Sequence, residues 1–195
     1  MKKTFLLFVP ILLINIYLHF LYFKSSVYQT ILINDLSQDL YSLDINDVEK
    51  INSKYPTLAI NTFPIATFKA RYFLHYNNID KALSYSNIGI ENNPYLADTY
   101  YIKSRILIND NRLNESLKNL REAYKLSKKK DYIAALYFTV LAELGLKEEL
   151  TENYRYVKLS NNNNIWRFYL SAIKKFNSLD EFYNQTLRDY NIKID

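Results

Sequence analysis

The chain has 195 residues, about half of them hydrophobic, with 25 basic and 20 acidic side chains and a net charge of +5. That length and apolar content suit one ordinary domain with a real core, with or without a targeting segment, and argue against general disorder. The lack of cysteine excludes disulfides, thiolate zinc sites, lipoprotein acylation and a thiol nucleophile, while only two glycines and four prolines leave too little punctuation for a many-turned all-β chain.

In chain order, the first element is a membrane-spanning helix within residues 1–26. Lys2 and Lys3 precede a run from Thr4 to Phe23 that carries no fixed charge, and about 20 helical residues rise about 30 Å, the thickness of a bilayer core. The rival reading is a cleaved secretory signal. Its apolar stretch is normally shorter, and neither Ser25 nor Ser26 offers small residues at the spacing a signal peptidase needs. Lys2, Lys3 and the terminal amine against a lone Lys24 orient an uncleaved anchor with its N-terminus in the cytoplasm, in an inner-membrane, single-pass topology with the rest of the chain in the periplasm or outside. Asn15 and His19 share a helix face, either to meet a second transmembrane helix or as two tolerated polar residues. Without Lys2 and Lys3 the remaining chain holds 23 basic against 20 acidic residues, an excess too small to demand a polyanionic partner.

Residues 27–195 read as helical repeats. The stretch at residues 68–89 is echoed at residues 102–123: Lys69, Ala70 and Arg71 become Lys103, Ser104 and Arg105, and Asn77 becomes Asn111. Second helices are expected to start at Ile79, Leu113, Leu146 and Leu179, steps of 34, 33 and 33, and a further step of 34 back reaches Ile45, with Val48 and Ile51 continuing a short stripe. Such periods mark stacked helical hairpins, and the apolar residues in each recur at three- and four-residue intervals. The breaks between paired helices are short, so neighbours run antiparallel. Gly145 sits where a helix ends and a positive φ is cheap.

With residues 63–96 as one unit and 97–130 as the next, small residues fall on Ala70, Ala82 and Gly89 in the first unit, with Phe73 as the first-helix large residue and Pro94 near the unit's end. Ser104, Ser116, Ala123 and Leu107 follow in the second, with Lys128 in place of the proline. These positions resemble the tetratricopeptide repeat family, whose hairpins need small side chains where two helix axes close to about 8–10 Å. The resemblance implies an all-α chain: a transmembrane helix followed by a right-handed α-solenoid of stacked hairpins, with degenerate hairpins over residues 131–163 and 164–195. A terminal hairpin turns one face to water, so degeneracy there is expected. Residues 51–74, 92–101 and 163–173 look like the extracytoplasmic repeat regions found with O-antigen ligase or polymerase-like bacterial membrane proteins, which implies a cell-envelope setting and the alternative of an accessory subunit for glycan transfer.

The family resemblance also implies a concave groove lined by first helices, with Thr67, Arg71, Leu74 and His75 beside Asp98, Tyr101, Arg105, Ile108 and Asn109. Arg71 and Arg105 occupy equivalent places and could grip a peptide or an acidic segment bidentately, or remain solvated or pair with local acids such as Asp98. His75 reads as a ligand contact or as a partly buried spacer. Catalytic, cofactor and metal roles find no residues: apart from His19, His75 is the sole histidine, no glycine-rich loop exists, and Glu143, Glu148, Glu149 and Glu152 cluster at a turn where charge normally solvates the surface. Lys125, Lys128, Lys129 and Lys130 beside Tyr124 and Tyr132 form a basic run, read chiefly as a solvated helix end, with anionic lipid or polysaccharide as the intermediate option and nucleic acid set aside. The expected task is a protein-interaction scaffold, not an enzyme.

Overall fold

The structure is a computed structural model that describes residues 2–51 and 62–194, with side chains described from residue 8 to residue 192. The side chains of Lys2 and Lys3 and much of the stretch 51–74 therefore lie outside the described residues. The regular structure is α-helical, and the chain forms two compact units, Met1–Pro94 and Tyr95–Asp195.

In the first unit, α1 (Lys2–Ser37) is one unbroken helix with Pro10 inside it. From Phe8 to Lys24 none of its side chains is buried, and the helix is long and apolar enough to cross a membrane. At Ser25 its character changes. Ser25, Gln29, Leu32 and Leu36 are all buried, a three- and four-residue spacing that faces one side of the helix onto protein. The polar side chains of the upper part bond inward: Asn15 Nδ2 donates to Ile11 O at 3.2 Å, and His19 Nδ1 lies 2.9 Å from Asn15 O. Each residue thus bonds a carbonyl of its own helix through one side-chain atom.

The lower part of α1 joins α2 (Ile45–Lys50) and α3 (Ile65–His75) around Leu32, Leu36, Val48, Ile51, Ile65, Phe68 and Tyr72. The short α2 starts where Asp44 accepts from Asn46 N. Its far end is held by an ammonium, since Lys69 Nζ donates to Glu49 O and Ile51 O, each at 2.8 Å, and sits 4.4 Å from the centre of the Tyr85 ring. Lys69 is only 2% exposed. Carbonyls at a helix C-terminus attract a cation, but among the described residues no carboxylate pairs directly with it. α3 then pairs with α4 (Ile79–Asn92).

In the second unit, α5 (Ala97–Asn109) and α6 (Leu113–Leu126) form a hairpin, and α7 (Asp131–Glu143) packs on α6 and on α10 (Asn163–Ile173). Between them lie α8 (Lys147–Glu152) and α9 (Tyr154–Lys158); a 3-10 turn at Asn177–Leu179 leads into α11 (Asp180–Ile194). The core runs through Leu120, Ile133, Phe138, Leu141, Leu150, Trp166, Tyr169 and Ile173.

The hairpin turns set the register. Asn77, Asn111 and Gly145 carry φ of 56°, 59° and 71°, left-handed values that asparagine and glycine tolerate best. The following amides close the same bond across each turn, Asn78 N to Phe73 O, Arg112 N to Leu107 O and Leu146 N to Leu141 O, at 2.8, 2.8 and 2.9 Å. The step is therefore 34 residues twice. This corrects the expected alignment of Leu146 with Leu113: Leu146 is the residue before the helix, as Arg112 is.

At the crossing points, Ala70 and Ala82 are fully buried, as are Ser104 and Ser116. Ser104 Oγ donates to Tyr100 O at 2.8 Å and lies 3.3 Å from Ser116 O, so the hairpin backbones meet side chain to main chain. In the third hairpin the corrected register puts Phe138, Leu150 and Val157 at the small positions, all buried. Its second helix is also the broken one. Asn153 Nδ2 donates to Glu149 O at 2.8 Å while Asn153 N bonds Leu150 O at 3.2 Å, and Tyr169 OH donates to the Leu150 carbonyl at 2.8 Å. A side chain that takes a helix carbonyl kinks the helix there.

Two outcomes are expected. The Ser116 hydroxyl is buried without a hydrogen-bond partner among the described residues, so Ser116→Ala raises stability by about 1 kcal/mol in denaturant melts, whereas an unchanged or lower stability means the hydroxyl is satisfied. Burial pushes the Lys69 ammonium down to about 8. The unfolded chain, with an ordinary lysine near 10.5, binds more protons between those values, so this group's contribution to stability rises with pH through that window and is lost as pH falls through about 8. Between about pH 7.5 and 9.5 the unfolding free energy of the native chain rises relative to Lys69→Met by about 1–2 kcal/mol; parallel pH profiles for the two proteins would refute the lowering of Lys69 by burial.

Candidate functional site

The nine groove candidates divide between the units, four on α3 and five on α5, and each half has its own surroundings. On α3 the chain covers its own first-helix face. Thr67 is fully buried. Arg71 Nη2 donates to Leu36 O at 3.4 Å and lies 3.7 Å from Asp39 Oδ1. The His75 ring stacks on Tyr41 with centroids 3.9 Å apart and planes within 4°, and Tyr76 OH reaches the carbonyls of Tyr41 and Leu43, each at 3.3 Å. Leu74 is half-buried.

The segment that does this covering is anchored at Asp35, which is 7% exposed. Its carboxylate accepts from Ser42 N at 3.1 and 3.0 Å, from Ser42 Oγ and from Tyr72 OH. Burial, followed by that bond to Asp35, pushes the Tyr72 hydroxyl well above the ordinary tyrosine range. Asp39 and Tyr41 both hold positive φ, 51° and 47°, a region that aspartate visits readily and tyrosine rarely. Arg71 and His75 lie on α3, but the cover over them is not legible in the sequence, because nothing in a repeat pattern announces that a preceding helix will extend to Ser37.

On α5 the arrangement is more open. Asp98 accepts from Lys130 Nζ and from Tyr132 OH, which ties the first turns of α5 and α7 together. Burial and the bond to Asp98 raise the Tyr132 hydroxyl far above its usual range. The Tyr101 ring meets Tyr132 edge-on at 4.9 Å, and the exposed Arg105 guanidinium stands 5.9 Å from the Tyr101 ring centre. Arg105 makes no ion pair among the described residues. Ile108 is half-buried against the core and Asn109 is exposed.

The same face continues onto α7 and α10, held together where Asn164 Nδ2 donates to Asp131 Oδ2 at 2.9 Å and where the Phe138 and Tyr169 rings meet at 5.1 Å. On α7 it presents Leu136 and Thr139; on α10 a cleft of about 420 Å3 is lined by Asn164, Arg167, Phe168 and Ser171. Arg167 is exposed and also makes no ion pair among the described residues, and Phe168 is 41% exposed. Arg167 and Phe168 were not singled out from the sequence. The step from α7 to α10 is 32 residues between helix starts, so a 33- or 34-residue ruler runs past them.

The packing residues lie where helices meet: Ala70, Phe73, Ala82, Gly89, Ser104, Leu107, Ser116 and Ala123 are buried, and Pro94 is exposed. Three of the four glutamates at the third turn, Glu143, Glu148 and Glu149, lie in ion pairs. Arg121 grips Glu149 through two bonds of 2.8 and 2.6 Å, Tyr137 OH adds a third at 2.7 Å, and the Arg121 contact holds the carboxyl below its usual range. Glu143 pairs with Lys175. The two ends of the basic run are paired with acids, since Lys125 lies near Glu122 at 3.6 Å and Lys130 pairs with Asp98.

No protein-family model and no curated protein matches the sequence. Solved structures do match in fold. The chain is similar to a crystal structure of the MamA protein with a TM-score of 0.61 at 12% identity, over 87% of this chain and 91% of that one. A second MamA crystal structure gives 0.61 at 12% identity over 84% and 94%, and one described as MamA MSR-1 C2 gives 0.59 at 11% over 87% and 96%. MamA is a tetratricopeptide-repeat protein, so the likeness establishes a TPR-like all-α fold.

The covering segment predicts a local effect. Tyr41→Ala removes the ring stacked on His75, an aromatic contact worth about 1 kcal/mol. Hydrogen exchange over residues 35–44 should quicken by several-fold while α5–α7 keep their protection; equal exchange in both proteins would mean the segment is not held by this contact.

Proposed function

We propose that the chain is a membrane-anchored scaffold that holds a protein partner on the first-helix face of its second unit. The observation that carries this reading is a pair of exposed guanidinium groups, Arg105 and Arg167, neither with an acid partner among the described residues, on a face that also presents Tyr101 and Phe168. Guanidinium forks suit carboxylates, and aromatic groups between them supply apolar contact with little entropy to lose. The partner is an extended acidic segment. On the first unit the equivalent face is already contacted by residues 35–44 at Arg71 and His75, which argues for the second unit as the receiving surface.

Anchoring through residues 4–23 is supported by the length of α1 and by side chains exposed over their whole circumference between Phe8 and Lys24. With the N-terminus in the cytoplasm the repeats stand outside it, and an assembly complex of the cell envelope is the setting. Tethering raises the local concentration of the module for neighbours in the same membrane, so modest affinity suffices.

A photo-crosslinking residue at the exposed Thr139, introduced in cells that express the full chain, tests the face. One partner should be captured, Arg105→Ala with Arg167→Ala should reduce its recovery by tenfold or so, and Arg71→Ala should leave it intact. Loss with Arg71→Ala and retention in the double variant would move the site to the first unit.

A further inference from the structure

The second unit has another surface of defined chemistry, away from the first-helix face. A cleft of about 680 Å3 is lined by Lys128, Lys129, Tyr156, Leu159, Ser160, Asn161 and Asn162, with no acidic residue among them. Its volume lies within the usual range for ligand pockets. Lys128 Nζ stands 3.3 Å from the centre of the Tyr156 ring, and the Arg155 guanidinium 4.6 Å from the same centre. One ring thus gathers two cations. Lys128, Lys129 and Arg155 make no ion pair among the described residues, in contrast to Lys125, Lys130 and Lys158, which pair with Glu122, Asp98 and Asp189.

Leu159 stands beside these cations 80% exposed, the most exposed aliphatic side chain beyond α1 among the described residues. Cations around a protruding leucine and a tyrosine match the interface of a bilayer, where the charges meet headgroup phosphates and the aliphatic tip enters the acyl boundary. A sugar ligand would need an open aromatic face, and the Tyr156 ring is engaged with Lys128 and Arg155. We infer that this cleft is a second membrane contact, in which Lys128 and Lys129 receive the phosphate of an anionic lipid and Leu159 inserts beside it. The surface acts in addition to the partner face and does not rely on it.

The full chain tests this in nanodiscs of phosphatidylcholine alone or mixed with phosphatidylglycerol. Because the sequence has no cysteine, Asn161→Cys, at an exposed position on the rim of the cleft, can carry an environment-sensitive dye while Leu159 stays native. In anionic discs the dye should shift to the blue and be quenched by a headgroup nitroxide, and it should remain in water in neutral discs. Neutralising Lys128 and Lys129 together should weaken the contact by about thirtyfold, two charges at about 1 kcal/mol each, and Leu159→Ser should reduce the quenching with circular dichroism unchanged. Equal signals in both kinds of disc, indifference to the lysines, or the same shift from glycerol phosphate or an acidic oligosaccharide without lipid would each overturn the proposal. A chain that enters neither disc counts against the anchor instead; vesicles of the two compositions added to that chain then read the cleft alone, by the same shift.

Discussion

Two helices approach to about 8–10 Å most readily where neither brings a bulky group to the crossing, and the first two hairpins of this chain rest on that condition. Ala70 with Ala82 and Ser104 with Ser116 meet it, and each of these residues is fully buried. Where Phe138 and Leu150 occupy the same places, the hairpin persists but its second helix is divided at Asn153. Close crossing also brings the Ser104 hydroxyl to the Ser116 carbonyl, so a side chain too small to fill space helps to fix the backbone instead.

Much of this architecture was legible because it recurs. A small residue, an asparagine at the turn and an apolar stripe each return after 34 residues, and a periodic signal survives the loss of any single match. What did not recur was harder to read. The third turn uses glycine where the first two use asparagine, and aligning on the nearby leucine rather than on the turn shifts the register by one residue. The fourth helical pair begins two residues early by the same ruler, which hid Arg167 and Phe168.

The candidate site was legible only in part, for a different reason. Positions on a helix face follow from sequence spacing, but their occupancy depends on what else arrives there. Arg71 and Arg105 are equivalent in sequence, yet one donates to Leu36 O beside Asp39 while the other stands over a tyrosine ring in solvent. Likewise, four lysines close in sequence part company once Lys125 and Lys130 find carboxylates, and Lys128 turns to a tyrosine contributed by α9. Local charge density in a sequence overstates local charge density on a surface whenever helices can carry acids to meet it.

The absence of a break in α1 at Ser25 has a mechanical consequence. The same rod that carries the exposed apolar stretch also seats Leu32 and Leu36 in the first unit's core. A helix resists torsion far better than a loop would, so turning its apolar end about the long axis must drag Tyr72 and Arg71 around with it or unseat the two leucines. The azimuth of the first unit is thereby tied to the rotation of residues 8–24, as a key's bit follows its shaft.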